Sequence, residues 1–248
     1  MDEAWITPDW PVPVGVHALV TTRRMPGNSQ PPPYDAFNLG LRSGEDQGIV
    51  RANRDLLARS FALPSAPRWL HQVHGNRSLR LTEEVLAGEP EADAAFTTQP
   101  GIVLAVLSAD CLPILICAED GAEIAAIHAG WRGLAAGVIE SCITRLLTPR
   151  ERLRAWLGPA IGPDSYEVGA EVRAAFVDAD SAAVEAFSAS RSGHWLCNLY
   201  TLARRRLATL GIEQISGGGF DTLSDTRWYS YRRDGAQSGR QATLIWRN

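Results

Sequence analysis

Apolar positions along this chain fall into strand-length runs and helix-spaced stripes that alternate from end to end. Residues 14–20 are predicted to form a first strand. Residues 47–61 are predicted to form a helix, because Ile49, Ala52, Leu56 and Leu57 recur at helical spacing. Strands are expected at 69–73, 78–81, 102–107, 113–117 and 123–128, a helix at 133–147 and a further strand at 153–157. The runs 102–107 and 114–116 are apolar without alternation, as strands covered on both faces are. Residues 198–210 read as a helix with Leu199, Leu202, Leu207 and Leu210 inward and Gly211 as its stop, and 244–246 close the chain as a strand. The triplet Arg204-Arg205-Arg206 on that helix reads as a solvated face. Loop material gathers at 23–37, around Pro26-Gly27 and Pro31-Pro32-Pro33, and reads as a surface loop after the first strand rather than a linker. Some strands follow one another directly and others alternate with helices. The expected class is mixed α/β (α+β), one domain over residues 1–248.

Composition changes this picture in one respect. The 24 basic residues are all arginine, so a Schiff-base lysine and a P-loop lysine are both excluded. Any anion must be held by arginine, backbone N–H groups or a metal. A formal net charge of −4 argues against a nucleic-acid binder. No apolar run reaches the roughly 18 residues of a membrane span, so no membrane partner is expected. The acidic start Met1-Asp2-Glu3 lacks a signal-peptide pattern, and Cys111, Cys117, Cys142 and Cys197 lack a secreted framework spacing. The expectation is a reduced, cytoplasmic protein.

Three segments put a metal-competent residue at a strand end beside glycine or a turn: His71-Gln72-Val73-His74-Gly75, Ser108-Ala109-Asp110-Cys111-Leu112-Pro113 and His128-Ala129-Gly130-Trp131-Arg132-Gly133. Two imidazoles and one thiolate suit Zn²⁺, and three ligands leave a fourth position open. Spacing alone leaves three readings: a metal site, a buried cysteine with two core-edge histidines, or a Cys–His nucleophile pair. Arg132 stands at an expected helix start, where free N–H groups favour an anion. Asn53-Arg54 and Tyr231-Arg232-Arg233 are further arginine-bearing segments without a decided role.

Taken in order, these segments join others: Thr22-Arg23, Pro33-Tyr34-Asp35-Ala36-Phe37-Asn38-Leu39-Gly40, Leu157-Gly158-Pro159-Ala160-Ile161-Gly162, Tyr166-Glu167-Val168-Gly169, Tyr229-Ser230-Tyr231 and Ser238-Gly239-Arg240. Over nearly its whole length the sequence resembles the YfiH/laccase-domain family. The resemblance implies layered sheets between helices and a metal held by His74, Cys111 and His128, with His71 as a neighbour. It implies phosphorolysis of purine nucleosides (adenosine, inosine, guanosine, methylthioadenosine), with adenosine deamination beside it and a link to peptidoglycan editing. Partners would be a purine nucleoside and phosphate; no oligomeric state is implied. Cys111 and Asp110 are the candidate catalytic residues, Asp110 as proton carrier or as support for a ligand histidine. Arg54, Arg132, Arg232 and Asn38 are the candidate substrate and phosphate residues. The chain departs from the family at Asp221, where cysteine is usual, at Arg42, where histidine is usual, and around Met25-Pro26-Gly27, where a double glycine is usual.

Five histidines, two of them (His17 and His194) outside the motifs, are too few for coupled copper centres, although one Cu²⁺ could replace Zn²⁺. A Cys–His amidase using Cys111 and His128 is the alternative from another enzyme class. A precursor-binding protein with structural zinc is the non-enzymatic one.

Overall fold

The computed structural model describes residues 3–84 and 87–248. Strands β1 (Trp5–Ile6), β2 (Val16–Thr21), β13 (Gln241–Arg247) and β5 (Leu104–Ser108) form a four-stranded sheet in that order. A six-stranded sheet runs β12 (Gln214–Gly217), β8 (Leu153–Leu157), β6 (Leu112–Ala118), β7 (Ile124–Ala129), β4 (Ala94–Thr97) and β3 (Ser78–Arg80). A small third sheet joins β10 (Phe187–Ala189), β11 (His194–Cys197) and β9 (Glu167–Gly169). Helices α1 (Gln47–Ser60), α2 (Trp131–Ala135), α3 (Val138–Ile143), α4 (Ala170–Val177), α5 (Leu199–Thr209) and α6 (Tyr231–Asp234) complete the mixed α/β architecture.

Alternate residues of single strands belong to different cores. In β6, Ile114, Ile116 and Ala118 pack toward α3, α4 and α5, beside Val138, Phe176 and Leu202. Leu115 and Cys117 of the same strand pack toward Val20, Leu104 and Ile245 of the four-stranded sheet. The outer face of that sheet, through Val103, Ala105 and Leu244, takes Leu57 of α1. The order is helix, sheet, sheet, helices, and unbroken apolar runs follow because both faces of the central strands are dry. The β6–β7 and β6–β8 pairs are antiparallel, so layering rather than parallel pairing accounts for the double burial.

Strand 153–157 lies where the apolar pattern puts it, and the first helix closes at Ser60. Asp46 caps α1 by accepting the N–H groups of Gly48 and Ile49 at 2.8 and 3.1 Å. Two expectations are corrected. Residues 69–73 form no regular strand, because the Gln72 side chain takes the place of a backbone partner. Its Nε2 donates to Leu107 O, and its Oε1 accepts the Leu107 N–H, each at 2.8 Å. The helix expected at 133–147 is two short helices, broken at Gly137 with φ of 85°. The arginine triplet is no free face: Arg205 pairs with Asp180 and Glu185, Arg206 with Glu140, and Arg204 donates to the Ile215 and Gly217 carbonyls.

Ile116 is fully buried at the centre of the molecule. Ile116→Ala should lower unfolding free energy by about 2–5 kcal/mol with little change in denaturant slope, as read by urea denaturation.

Candidate metal centre

Register pairing brings the three motif segments to one end of the two sheets. Gln241 of β13 faces Ser108 at the end of β5, and Leu112 at the start of β6 faces Ala129 at the end of β7. The turn carrying Cys111, the exit of β7 carrying His128 and the entry to β13 carrying Arg240 therefore share an edge. His74 arrives on the irregular segment after Gln72. The backbone is left-handed at His74 (φ 60°) and Asp110 (φ 85°), a conformation side chains seldom adopt, on both sides of the centre.

The ligand atoms of His74, Cys111 and His128 lie within 4.8 Å of one another, and Cys111 Sγ is 3.7 Å from His74 Nε2. An ion at tetrahedral bond lengths would separate such ligands by roughly 3.3–3.6 Å, so the group fits one metal after small adjustment. Gly130 makes the space. A Cβ there would meet His74 Cδ2 at 2.9 Å and Cys111 Sγ at 3.0 Å. A Cβ on Gly133 would meet the Gly75 carbonyl oxygen at 2.6 Å. Burial works to raise the Cys111 thiol, but the charge and hydrogen bond of His128 and the hydrogen bond of His74 outweigh it, bringing Cys111 down to about 6. Burial works against the charge on His128, yet Cys111 and Asp93 hold it up at about 9. A sulfur so placed is a thiolate at neutral pH, the form that binds metal.

Asp93 is the residue that sequence reasoning missed. It is fully buried, and its Oδ1 accepts from His128 Nδ1 at 2.8 Å and from the His74 N–H at 2.9 Å. Its Oδ2 accepts the N–H groups of Gly75 and Val73 at 2.8 and 3.2 Å. Burial pushes Asp93 up, but the His128 and backbone hydrogen bonds hold it below the ordinary carboxylate range. A lone aspartate inside the apolar stretch 92–96 was the available signal.

Asp110 does not reach a ligand histidine. Its oxygens accept from Thr222 Oγ1 at 2.6 Å and the Arg232 N–H at 2.7 Å, holding the turn instead. The expected support for His128 comes from Asp93. His71 stays outside the ligand group.

The triad sits in a cleft of about 450 Å³ lined by Leu41, Leu70, Leu107, Tyr231, Arg42, Arg132 and Arg240, among others. Arg132 lies over the Trp131 ring at 4.3 Å and pairs with no carboxylate among the described residues. The helix it starts has only five residues, so its N-terminus offers less to an anion than the expected long helix. Arg54 and Arg232 do not line the cleft. Arg54 pairs with Glu89 and lies over the Trp69 ring, while Arg232 donates to the Glu167 carbonyl. Asn38 is fully buried and braces the neighbouring loop. Asp221, where the resemblance leads one to expect a cysteine, accepts from the Gly162 N–H, Ser165 and Ser224 as the hub of a turn.

A layered α/β protein with one thiolate and two imidazoles converging in a cleft is the class these features define. The family model described as multi-copper polyphenol oxidoreductase laccase matches residues 17–248, and the chain belongs to that family. A protein of Xylella fastidiosa (strain Temecula1) named purine nucleoside phosphorylase is 50% identical, with 98% of this chain and 97% of that protein covered. Purine nucleoside phosphorylase YfiH of Escherichia coli K12 is 48% identical over 97% and 98% of the two chains. A Neisseria meningitidis protein of known structure matches at TM-score 0.94 and 40% identity, covering 99% of this chain and all (100%) of that one. Bacillus licheniformis YfiH matches at TM-score 0.87 and 26% identity over 94% and 93%.

Two outcomes follow for metal binding. Cys111→Ser and Gly130→Ala should both lose most bound metal by elemental analysis, the second by pushing two ligands aside, whereas His71→Ala should keep it. Asp93→Asn should weaken metal affinity roughly 10–100-fold in a competition titration, as loss of a ligand's hydrogen-bond partner does.

Proposed function

We propose that this chain is a zinc-dependent purine nucleoside phosphorylase of adenosine, inosine, guanosine and methylthioadenosine. The observation that carries this reading is the His74–Cys111–His128 group, set in a cleft that also holds Arg132 and Arg240, which pair with no carboxylate among the described residues. The relatives' name supports it. Zinc is assigned because an imidazole–thiolate set with three donors suits it and leaves a position for substrate or water. When bound, the metal supplies Lewis-acid polarisation or a water of lowered pKa.

The chain's own residues account for binding and orientation. Leu41, Leu70 and Leu107 offer an apolar wall to the purine, and Tyr231 lies at the mouth, half exposed at 52%. Arg132, which also lines the cleft, holds a phosphate oxygen. In the reaction a phosphate oxygen forms a bond to ribose C1′ as the C1′–N9 bond breaks. The purine leaves with the electron pair and takes up a proton. Asp93 keeps His128 oriented throughout, and Asp110 keeps the Cys111 turn closed against Thr222 and Arg232. The three buried free thiols, Cys117, Cys142 and Cys197, suit a reducing compartment, and we place the enzyme in the cytoplasm as a single catalytic domain.

A second reading is favoured by one observation: a Cys111 thiolate 3.7 Å from a histidine nitrogen is also the geometry of a Cys–His nucleophile. That enzyme would be independent of metal and would cleave an amide.

Metal-loaded protein given adenosine should yield adenine and ribose 1-phosphate only when phosphate or arsenate is present. Inosine formed in phosphate-free buffer would mark deamination. Arg132→Ala should raise the phosphate KM about tenfold or more, with partial rescue by Arg132→Lys, because an ammonium lacks the guanidinium fork. Intact adenosine, inosine and methylthioadenosine alongside metal-independent amide cleavage would overturn the phosphorylase reading.

A further inference from the structure

Separate features of the chain converge on the placement of Arg240. Its backbone N–H donates to Asn38 Oδ1 at 2.9 Å, and the same oxygen accepts the Gly40 N–H at 2.9 Å. Asn38 is itself fixed, since its Nδ2 donates to Ser43 Oγ at 2.7 Å and to Glu45 Oε2 at 2.9 Å. The aliphatic stem of Arg240 passes over Gly40. A Cβ at residue 40 would meet Arg240 Cγ at 2.7 Å. The neighbouring Gly239 lies flat on Tyr229, whose ring a Cβ would meet at 2.5 Å. Asn38-Leu39-Gly40 and Ser238-Gly239-Arg240 thus form one device that aims a single side chain into the cleft.

The guanidinium at the end of that stem is only partly satisfied. Nη1 donates to the carbonyls of Ser238 and Gly239. Nε and Nη2 have no partner among the described residues, and no carboxylate pairs with the group. Three nearby cations are treated differently, since Arg42 and Arg54 share Glu89 and Arg23 pairs with Asp35 and Asp234, whereas Arg132 and Arg232 also pair with no carboxylate among the described residues. Cys111 and then Asp110 act on Arg240 through space, but neither is hydrogen-bonded to it, and the two oxygens of Asp110 are taken by Thr222 and the Arg232 N–H. A half-buried guanidinium with two N–H groups left without a hydrogen-bonded anion is completed by one that enters the cleft. The fork geometry of a guanidinium matches two oxygens of a tetrahedral oxyanion.

We infer that Arg240 is an anion-binding residue of this cleft, holding an oxyanion of the phosphate class through Nε and Nη2 beside the His74–Cys111–His128 group. Naming that oxyanion as free inorganic phosphate rests on the phosphorylase reading. The same chemistry belongs to the phosphoryl group of a nucleotide.

Binding without turnover tests the inference. Inorganic phosphate, and separately adenosine 5′-monophosphate, would be titrated calorimetrically into the full metal-loaded chain. Arg240→Gln, which keeps the packed stem, should weaken phosphate binding roughly 10–100-fold, as loss of charge-assisted bonds does. Arg240→Lys should restore only part. Gly40→Ala keeps every charge but displaces the stem, and should weaken phosphate binding while metal content and circular dichroism stay unchanged. Unchanged phosphate affinity in both Arg240→Gln and Arg240→Lys would overturn the assignment. Arg240-dependent binding of the nucleotide without binding of phosphate would overturn free phosphate as the source. Arg240-dependent phosphate binding by a protein that cleaves no nucleoside would overturn the phosphorylase reading and leave Arg240 in place.

Discussion

Asp93 commits both of its oxygens to the centre it supports: one to His128 Nδ1 and the His74 N–H, the other to the N–H groups of Val73 and Gly75. One carboxylate therefore fixes the tautomer and ring orientation of one candidate ligand and the backbone path of another. Its burial makes the arrangement strict, because an ion without these donors would be costly in the interior. The positive φ of His74 is held by the same hydrogen bonds, which offset both the local strain and the burial of the charge.

Layering supplies the rest of the frame. Two sheets pack face to face with helices outside, and their strand ends coincide where Ser108 meets Gln241 and Leu112 meets Ala129. Rigid strands thereby present Cys111 from the turn before β6, His128 from the last residues of β7 and Arg240 from the entry to β13. Glycines 130 and 133 remove side chains where loop and ligand approach most closely. Their conservation of space, not of backbone angle, is the reason for glycine there, since neither has a positive φ.

Charge in the cleft follows from a chain without lysine. Most of the arginines near the site are neutralised by carboxylates or bound to carbonyls, and serve as struts: Arg54 on Glu89, Arg233 on Asp234 and Arg232 on the Glu167 carbonyl. Arg132 and Arg240 line the cleft and pair with no carboxylate among the described residues, and Leu41, Leu70 and Leu107 line it as well. The cleft therefore combines guanidinium groups, apolar side chains and the metal-competent group.

The sequence by itself determined what burial and residue type can express locally. Unbroken apolar runs marked the doubly covered strands β5 and β6, helical spacing marked α1 and α5, and imidazole or thiol at strand ends beside glycine or a turn marked His74, Cys111 and His128. Proximity along the chain misled where a side chain substituted for backbone, as Gln72 does for a strand partner of Leu107, and where one glycine, Gly137, broke a helical stripe. Which arginine enters the cleft, and which aspartate serves His128, only the tertiary structure decided. Asn38 and Arg240 are 202 residues apart, and Asp93 and His128 are 35 apart. Local patterns record whether a residue is buried, but not which distant residue it is buried against, because that is set by strand register across the sheets.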